Sequence, residues 1–337
     1  MESSTSPLVL KLSYAKSIQE LPISQRLPQF LELVLTANEA INDDIYPSLI
    51  HEGSSGSYYV FSKQKKIIGI FKPKNEEPYG KLNPKWLKWL HRIFFPCCFG
   101  RSCIIPNKGY MSEAGAYLVD QALDLNVVPP TFVTFIASPT FNYSQVDRTA
   151  LHARIYLKTK FNLSSDIHCI LSPKIGSFQK YVEGYSSAYS FLQGSSEPLP
   201  PGAEAELQFL LEKMIVLDYI TRNTDRGDNW LIKISKKTRL LLNDVPDEYD
   251  VELAAIDNGL SFPFKHPDSW RSCKTKFEID PFHWAFIPQA KRPFSQRIRD
   301  LVIPKLSEVE NVESLIASLE ELVFSAYFNS YFFCTNL

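Results

Sequence analysis

Two carboxylates, two guanidiniums and two amides crowd into the stretch Arg222, Asn223, Thr224, Asp225, Arg226, Gly227, Asp228, Asn229, between the apolar runs of VLDYITRNTDRGDNWLIKI. Phosphoryl transfer needs a carboxylate near the attacking hydroxyl and an amide a few residues on as a ligand for a divalent cation. Asp225 and Asn229 have those residue types at about that spacing. Two other readings compete for the same residues: an ordinary polar loop, and the integrin-type tripeptide Arg226-Gly227-Asp228.

Three further stretches fall in an order that suits the first reading. Gly53-Ser54-Ser55-Gly56-Ser57 has glycines that allow backbone N–H groups to approach an anion, and serines that add hydroxyl donors. Lys72 follows in GIFKPK, where a nucleotide-dependent kinase places the lysine that meets the α- and β-phosphates. Asp257, in AAIDNGLSF, follows an apolar strand and precedes a turn, the place of a second metal-binding carboxylate. Taken singly, each has an ordinary alternative: a turn, a solvated lysine at a strand end, and an Asx-turn. Their joint occurrence in this order, with lobe-sized gaps, is less easily dismissed.

The elements that must position these residues follow from apolar spacing. RLPQFLELVLTANEAIND has the helical period. GSSGSYYVFSKQKKIIGIFKPK reads as a hairpin, with strands Ser57–Phe61 and Ile67–Phe71 joined by the basic turn Ser62–Lys66, so that Lys72 ends the second strand. SEAGAYLVDQALDL predicts a helix with Ser112 at its N-cap. VVPPTFVTFIAS and GSFQKYVEGY predict strands, and AELQFLLEKMIVLDYIT a long helix running into the polar stretch. NWLIKI and ELAAIDNGLSF predict two strands flanking a polar insert. The layout is α+β: a β-rich half with one helix, then a mostly helical half with two short strands, and a cleft between them.

Composition narrows the choice. With 337 residues, 45% of them apolar and 22% charged, the chain is globular and long enough for one large or two-lobed domain. The net charge of −1 favours no nucleic-acid partner, so an anionic ligand must be met by a local patch. No signal peptide is expected from MESSTSPLVLKLSYAKS, and no run approaches the roughly 18 to 20 apolar residues of a spanning helix. Cys97, Cys98, Cys103, Cys169, Cys273 and Cys334 fit neither a zinc spacing nor a disulfide framework, so reduced thiols are expected. The adhesion reading, which needs an extracellular protein, loses ground accordingly.

From about Pro28 to Leu322 the chain resembles the type II phosphatidylinositol 4-kinases. The resemblance rests on long strings: GSSGSYYV, FKPKNEEPYGKLNPKW, PCCFGR, GYMSEAGAYLVDQ, LNVVPPT, TFNYS, GSFQKYVEGY, VLDYITRNTDRG, DNWLIK, AAIDNGL, FPFKHPDSW and PQAKRPFSQ. It implies a bilobal, protein-kinase-like fold and ATP–Mg²⁺-dependent phosphorylation of the inositol 4-hydroxyl of phosphatidylinositol. Residues 1–27 would be a variable segment, 28–181 a β-rich N-lobe with a membrane-binding insertion at 85–103, and 182–337 a mostly helical C-lobe. His51 to Ser57, with Ser54, Ser55, Gly56 and Ser57 at its heart, would be the phosphate loop and Lys72 the ATP lysine. Val182, Glu183, Gly184 and Tyr185 would form the hinge against adenine, and Glu77, Pro78 and Tyr79 the substrate-binding segment. Asp225 would be the catalytic aspartate of the loop 222–230. Asp257 would open an activation loop at 257–280 and share the metal with Asn229. By analogy with protein kinases, Glu113 is the expected partner of Lys72.

KWLKWLHRIFFPCCFGRSC supports a membrane reading on its own residues. If Lys85 to Phe95 is helical, Trp86, Trp89, Leu90 and Ile93 share one face, while Lys85, Lys88 and Arg92 lie on another, the pattern of an interfacial helix. A helix packed on the core is the alternative. Cys97 and Cys98 are placed for S-acylation. The resemblance adds palmitoylation at a four-cysteine motif, in which Phe94 and Phe95 here replace two cysteines. It adds membrane-facing segments at Tyr189 to Glu197 and near Trp270, and a location on the cytoplasmic face of Golgi and endosomal membranes.

Three departures from the family pattern stand out. The family loop Asp-Arg-Gly-Asn-Asp-Asn-Trp is one residue shorter here, so Asp225 and Asn229 are four apart rather than five. Since a shift near one ångström at a reacting centre can cost about a hundredfold in rate, a catalytically impaired membrane scaffold is the alternative expectation. The segment Ser272 to Asp280 is longer than its counterpart. The aromatic ending FSAYFNSYFFCTNL stands where the family continues into further helix, a shortened C-terminus.

Overall fold

The computed structural model describes residues 27–85, 103–149, 153, 156, 160, 171–188, 201–236, 249–265 and 282–335. Two antiparallel sheets organise them. The first contains β1 (Ser48–Leu49), β2 (Tyr58–Phe61), β3 (Ile67–Pro73), β4 (Thr131–Ile136) and β5 (Lys174–Lys180), in the order β1-β2-β3-β5-β4. The second contains β6 (Ser186–Ser187), β7 (Trp230–Lys236) and β8 (Tyr249–Ala255), in the order β6-β7-β8. The helices whose bounds fall among the described residues and that reach eight residues are α1 (Leu27–Asn42), α2 (Gly109–Ala122), α3 (Pro201–Thr221), α4 (Gln296–Ser307) and α5 (Val309–Thr335).

The alternation of buried and half-buried residues in β2 and β3 places Tyr58, Val60 and Phe71 in the core, so register is set by which face is apolar. In β3 the strand continues past Phe71, and Lys72 pairs with Ser177 of β5. Lys72 is therefore a ladder residue one place before the strand's end. Its backbone is fixed by the sheet, and its side chain projects from a rigid platform.

Phe30 and Val34 of α1, Phe71 and Phe178 of the first sheet, Tyr117 of α2, Leu207 and Met214 of α3, and Trp230 and Leu253 of the second sheet belong to one continuous apolar cluster. The two sheets are thus joined by shared core. The first sheet carries two helices, α1 and α2, at the two stretches whose apolar spacing predicts them. The second sheet has a third strand, β6, too short to leave a period in the sequence.

Two local expectations change. Helix α2 begins at Gly109, so Ser112 lies within its first turn, and its hydroxyl donates to the Ser261 carbonyl at 3.2 Å. Ser112 therefore links α2 to the segment after β8, and the helix is capped from elsewhere. Lys85, expected on a basic membrane face, donates to the Glu52 and Gly53 carbonyls at 2.6 and 3.0 Å. Trp86, Trp89, Phe94, Phe95, Cys97, Cys98, Trp270 and the segment Tyr189 to Glu197 lie outside the described residues, as does most of the expected activation loop. Among the described residues, no helix is long and apolar enough to cross a membrane.

Candidate active site

Lys72 stands between two carboxylates drawn from distant parts of the chain. Its Nζ lies 2.5 Å from Glu113 Oε1 and 2.9 Å from Asp257 Oδ1. Glu113 comes from the second turn of α2 and Asp257 from the turn that follows β8, so three elements converge on one ammonium. Burial works against a charged lysine here, but Asp257 and Glu113 outweigh it and hold the ammonium's pKa above its usual value. Burial raises Glu113, against the pull of Lys72, whereas Lys72 lowers Asp257. The expected partner of Lys72 is in place.

Exposure separates the two carboxylates. The Glu113 side chain is 2% exposed and the Asp257 side chain 54%. Glu113 is a fixed anchor, whereas Asp257 presents its charge outward. Its backbone sits at φ +52°, the left-handed region that an Asp tolerates better than most residues. The Asn258 N–H donates to Glu113 Oε2 at 3.1 Å, which ties this turn to α2.

The polar stretch that opened the sequence is pinned from inside. Arg226 is fully buried, and its guanidinium meets Asp218 of α3, the Asn229 and Ile256 carbonyls, and Asn258 Oδ1. Asp218 also accepts from the Trp284 indole at 3.0 Å. An adhesion motif must expose its arginine, so the integrin reading fails on this burial. Sequence reasoning missed Arg226 as the organiser of the loop. The available signal was Asp218, a carboxylate inside a helix that is otherwise apolar around it.

The short loop does not disturb its strand. Trp230 pairs with Ala255 at the start of β7, and the Ile256 N–H bonds the Asn229 carbonyl at 3.1 Å. The turn Arg226 to Asn229 closes through the Asn229 N–H to the Arg226 carbonyl at 2.7 Å, with Gly227 at φ +42°. This turn makes the whole connection from Arg226 to β7. Asn229 Nδ2 donates to the Asp225 carbonyl at 3.0 Å, which leaves Oδ1 as the acceptor end of the amide. Asp225 itself is half-buried, with its N–H bonded to Asn223 Oδ1 at 2.8 Å.

The donor set suits a hard divalent cation, which prefers oxygen ligands. Asp257 is held as a carboxylate yet remains open to solvent, and Asn229 offers its amide oxygen. Among the described residues there is no cluster of three or more His, Cys, Asp or Glu that could hold a metal without help from a ligand.

The glycine–serine stretch is more constrained than its composition suggested. The Gly56 N–H is committed to the Glu76 carbonyl at 2.8 Å, and a Cβ at Gly56 would come within 2.7 Å of Glu76 Cβ. Gly56 thus serves close packing. Ser54 and Ser55 are half-exposed and Ser57 is buried, with its Oγ 3.1 Å from Ser55 Oγ. Beneath the loop, Glu76 is wholly buried and accepts from Tyr58 at 2.5 Å, Lys174 at 2.6 Å and the Asn142 N–H at 3.0 Å. This polar support was also missed, because its members are far apart in sequence.

The other expected segments sit as follows. Val182 to Tyr185 connects β5 of the first sheet to β6 of the second, with Gly184 at φ +79°. Glu183 pairs with Lys66 at 2.7 Å, and the Tyr185 hydroxyl donates to Glu252 at 2.7 Å. In the Glu77-Pro78-Tyr79 segment, Glu77 is buried while Pro78 and Tyr79 are half-exposed.

Residues 54–337 match the profile of the family described as phosphatidylinositol 3- and 4-kinase. The chain belongs to that family. It is 52% identical over 304 residues to phosphatidylinositol 4-kinase type 2-alpha of Danio rerio, covering 88% of this chain and 66% of that protein. It is 48% identical over 309 residues to phosphatidylinositol 4-kinase type 2-beta of Xenopus tropicalis, covering 87% of this chain and 61% of that protein. It is 47% identical over 306 residues to phosphatidylinositol 4-kinase type 2-beta of Mus musculus, covering 88% and 64%. The chain thus spans less than two thirds of the length of these relatives. The resemblance to type II phosphatidylinositol 4-kinases is borne out, and so is the α+β, kinase-like fold of the phosphatidylinositol 3- and 4-kinase family.

Proposed function

We propose that the chain is a lipid kinase that transfers the γ-phosphoryl group of ATP to the inositol 4-hydroxyl of phosphatidylinositol at a membrane surface. The observation that carries this reading is Lys72 held between Glu113 and the outward-facing Asp257. The names of the relatives support the choice of lipid.

Lys72, charged at all working pH values, would meet the α- and β-phosphates. Val182 to Tyr185, as the connection between the sheets, would line the adenine, and Ser54 and Ser55 would cover the phosphates. A divalent cation, Mg²⁺ in this reading, would be held by Asp257 and Asn229 and would neutralise phosphate charge. Asp225 would accept the proton of the 4-hydroxyl as that oxygen attacks the γ-phosphorus in line with the leaving β-phosphate oxygen. Most of the acceleration would come from position and electrostatics, because little covalent chemistry is asked of the protein.

We further propose residues 28–181 and 182–337 as the two lobes, with peripheral membrane attachment through 85–103. Trp86 and Trp89 would enter the interface beside Phe94, Phe95 and Trp270. Acyl chains on Cys97 and Cys98 would add to this, since one chain alone anchors only marginally. The cytoplasmic face of Golgi or endosomal membranes is the location this reading assigns.

The test is ATP-dependent phosphorylation of phosphatidylinositol in detergent micelles, run beside Asp225→Ala and a variant with Asn inserted between Gly227 and Asp228. Turnover in the parent that Asp225→Ala abolishes supports the reading. An inert parent rescued by the insertion would overturn it in favour of a catalytically impaired scaffold.

A further inference from the structure

Glu77 lies in the segment expected to bind substrate, yet its side chain turns inward. The turn Glu77 to Gly80 closes through the Gly80 N–H to the Glu77 carbonyl at 2.8 Å, and Asn83 Nδ2 donates to the same carbonyl at 3.0 Å. Pro78 fixes one central dihedral of this turn, and Tyr79 sits at φ +69°. The turn tip therefore presents Pro78 and Tyr79, while Glu77, 8% exposed, points back toward the protein.

There its carboxylate meets the start of α2. Oε2 accepts the Gly109 N–H at 3.1 Å and Oε1 accepts the Tyr110 N–H at 2.8 Å. These are the first two amides of the helix, which have no partner within it. Lys108, at the cap position, supplies no side-chain cap of its own. A carboxylate in this place is also favoured by the helix dipole. Gly109 favours the close approach, since a Cβ there would lie 3.3 Å from Glu77 Cδ and 3.2 Å from the Gly259 carbonyl.

Glu113 stands four residues after Gly109, on the same helical face one turn along. Its carboxylate holds Lys72, which lies five residues before Glu77 in the chain. A closed ring results: Lys72 in β3, the short helical turn Lys74–Glu76, Glu77, the first turn of α2, Glu113 and Lys72 again. A displacement of α2 along or about its axis would separate Glu113 from Lys72, and the Glu77 carboxylate opposes both movements.

We propose that Glu77 is a positioning residue that caps α2 and thereby seats Glu113 against Lys72, rather than a contact for the lipid. The kinetic part of this inference rests on the lipid kinase reading above; the capping part does not. The lipid side of the same turn falls to Pro78 and Tyr79.

The experiment uses the full chain with Glu77→Ala, Glu77→Gln and Glu77→Asp. Amide hydrogen exchange is followed at Gly109 and Tyr110, and KM is measured separately for ATP and for phosphatidylinositol in micelles. Glu77→Ala is expected to speed exchange at those amides about tenfold, in keeping with the loss of a cap. It should raise KM for ATP by a similar factor and leave KM for the lipid unchanged. Glu77→Gln, which keeps one acceptor oxygen in place of two, should retain protection at one of the two amides and fall between the parent and Glu77→Ala in both readouts. Should Glu77→Ala fail to fold, Glu77→Asp, one methylene shorter, is expected to show the same changes in smaller degree. Unchanged exchange, or a rise in lipid KM with ATP KM untouched, would overturn the proposal. If the parent shows no turnover, the lipid kinase reading fails alone, and exchange still decides whether Glu77 caps the helix.

Discussion

Arg226 and Asp218 meet through three hydrogen bonds of 2.8 to 3.0 Å, and neither side chain is exposed to solvent. One residue belongs to the polar loop that follows α3 and the other to α3 itself. The pair therefore fastens the loop that carries Asp225 to the 21-residue helix α3. The remaining guanidinium N–H groups reach the Asn229 and Ile256 carbonyls and Asn258, so one side chain sets both edges of the candidate site.

Replacing Arg226 by Met is expected to be strongly destabilising. Asp218 would keep the Trp284 indole but lose its countercharge, and stranding one partner of a buried pair costs about 3–5 kcal/mol. Urea unfolding of the parent and variant measures the difference. A loss below about 1 kcal/mol would mean that the loop is anchored by something else.

Gly227 carries a narrower expectation. Its φ of +42° penalises any Cβ, so Gly227→Ala should cost about 1 kcal/mol in unfolding free energy. Because the turn Arg226 to Asn229 makes the whole connection to β7, turnover should fall further than stability alone explains. Initial rates at saturating ATP, taken well below the melting temperature, separate the two effects.

Beneath the glycine–serine loop, Lys174→Met should leave Glu76 buried with the Tyr58 hydroxyl and the Asn142 N–H but no cation. A loss of about 3–5 kcal/mol is expected, partly recovered when Glu76→Gln is added. Thermal melting of the single and double variants reads this directly. A double variant no more stable than Lys174→Met would count against the buried charge as the cause.

The pH dependence of stability has a definite sign at Glu77. Burial pushes its carboxyl up to about 7, although the Tyr110 and Gly109 N–H groups pull the other way and Glu113 adds to the rise. A carboxyl raised in the fold binds its proton more tightly there than in the unfolded chain. Its stabilising contribution is present below the unfolded value of about 4.5 and is lost as pH climbs through 7. The parent should thus lose about 2–3 kcal/mol relative to Glu77→Gln between those limits. A difference that stays flat from pH 4.5 to 8 would contradict it. Asp120, raised to about 6 by burial against the N–H bonds of Val127 and Val128, remains in both proteins and cancels.

Local signals made much of this legible. The hairpin β2–β3, the helix α3 and the strand before Asp257 are long enough for their apolar period to show, and they deliver Lys72, Asp225 and Asp257 in order. What could not be read was the closing of distances. Local capping points to Ser112 at the start of α2, whereas the capping carboxylate comes from Glu77, thirty-two residues before Gly109. Nothing next to Arg226 in the chain marks it as buried, since arginines are mostly exposed, and only the position of Asp218 inside α3 makes its burial tolerable. The composition around Gly56 suits a phosphate donor, but its N–H is claimed by Glu76, a partner that exists only once the loop has folded back.

Leu319 and Leu322 of α5 pack on Gly115, Ala114 and Leu118 of α2, with Phe262 closing the same contact. The helix that bears Glu113 is therefore completed by a segment more than two hundred residues downstream. During synthesis from the N-terminus, the hairpin and α2 leave the ribosome well before α5 exists, and chain elongation is slow compared with helix formation. Until then, α2 exposes a small-residue groove and Glu113 stands on an incompletely supported element. The candidate site of this kinase family member is accordingly among the last features of the nascent chain to mature, and a ribosome stalled before Leu319 would hold an α2 that still lacks its packing partner, without a settled lysine–glutamate pair.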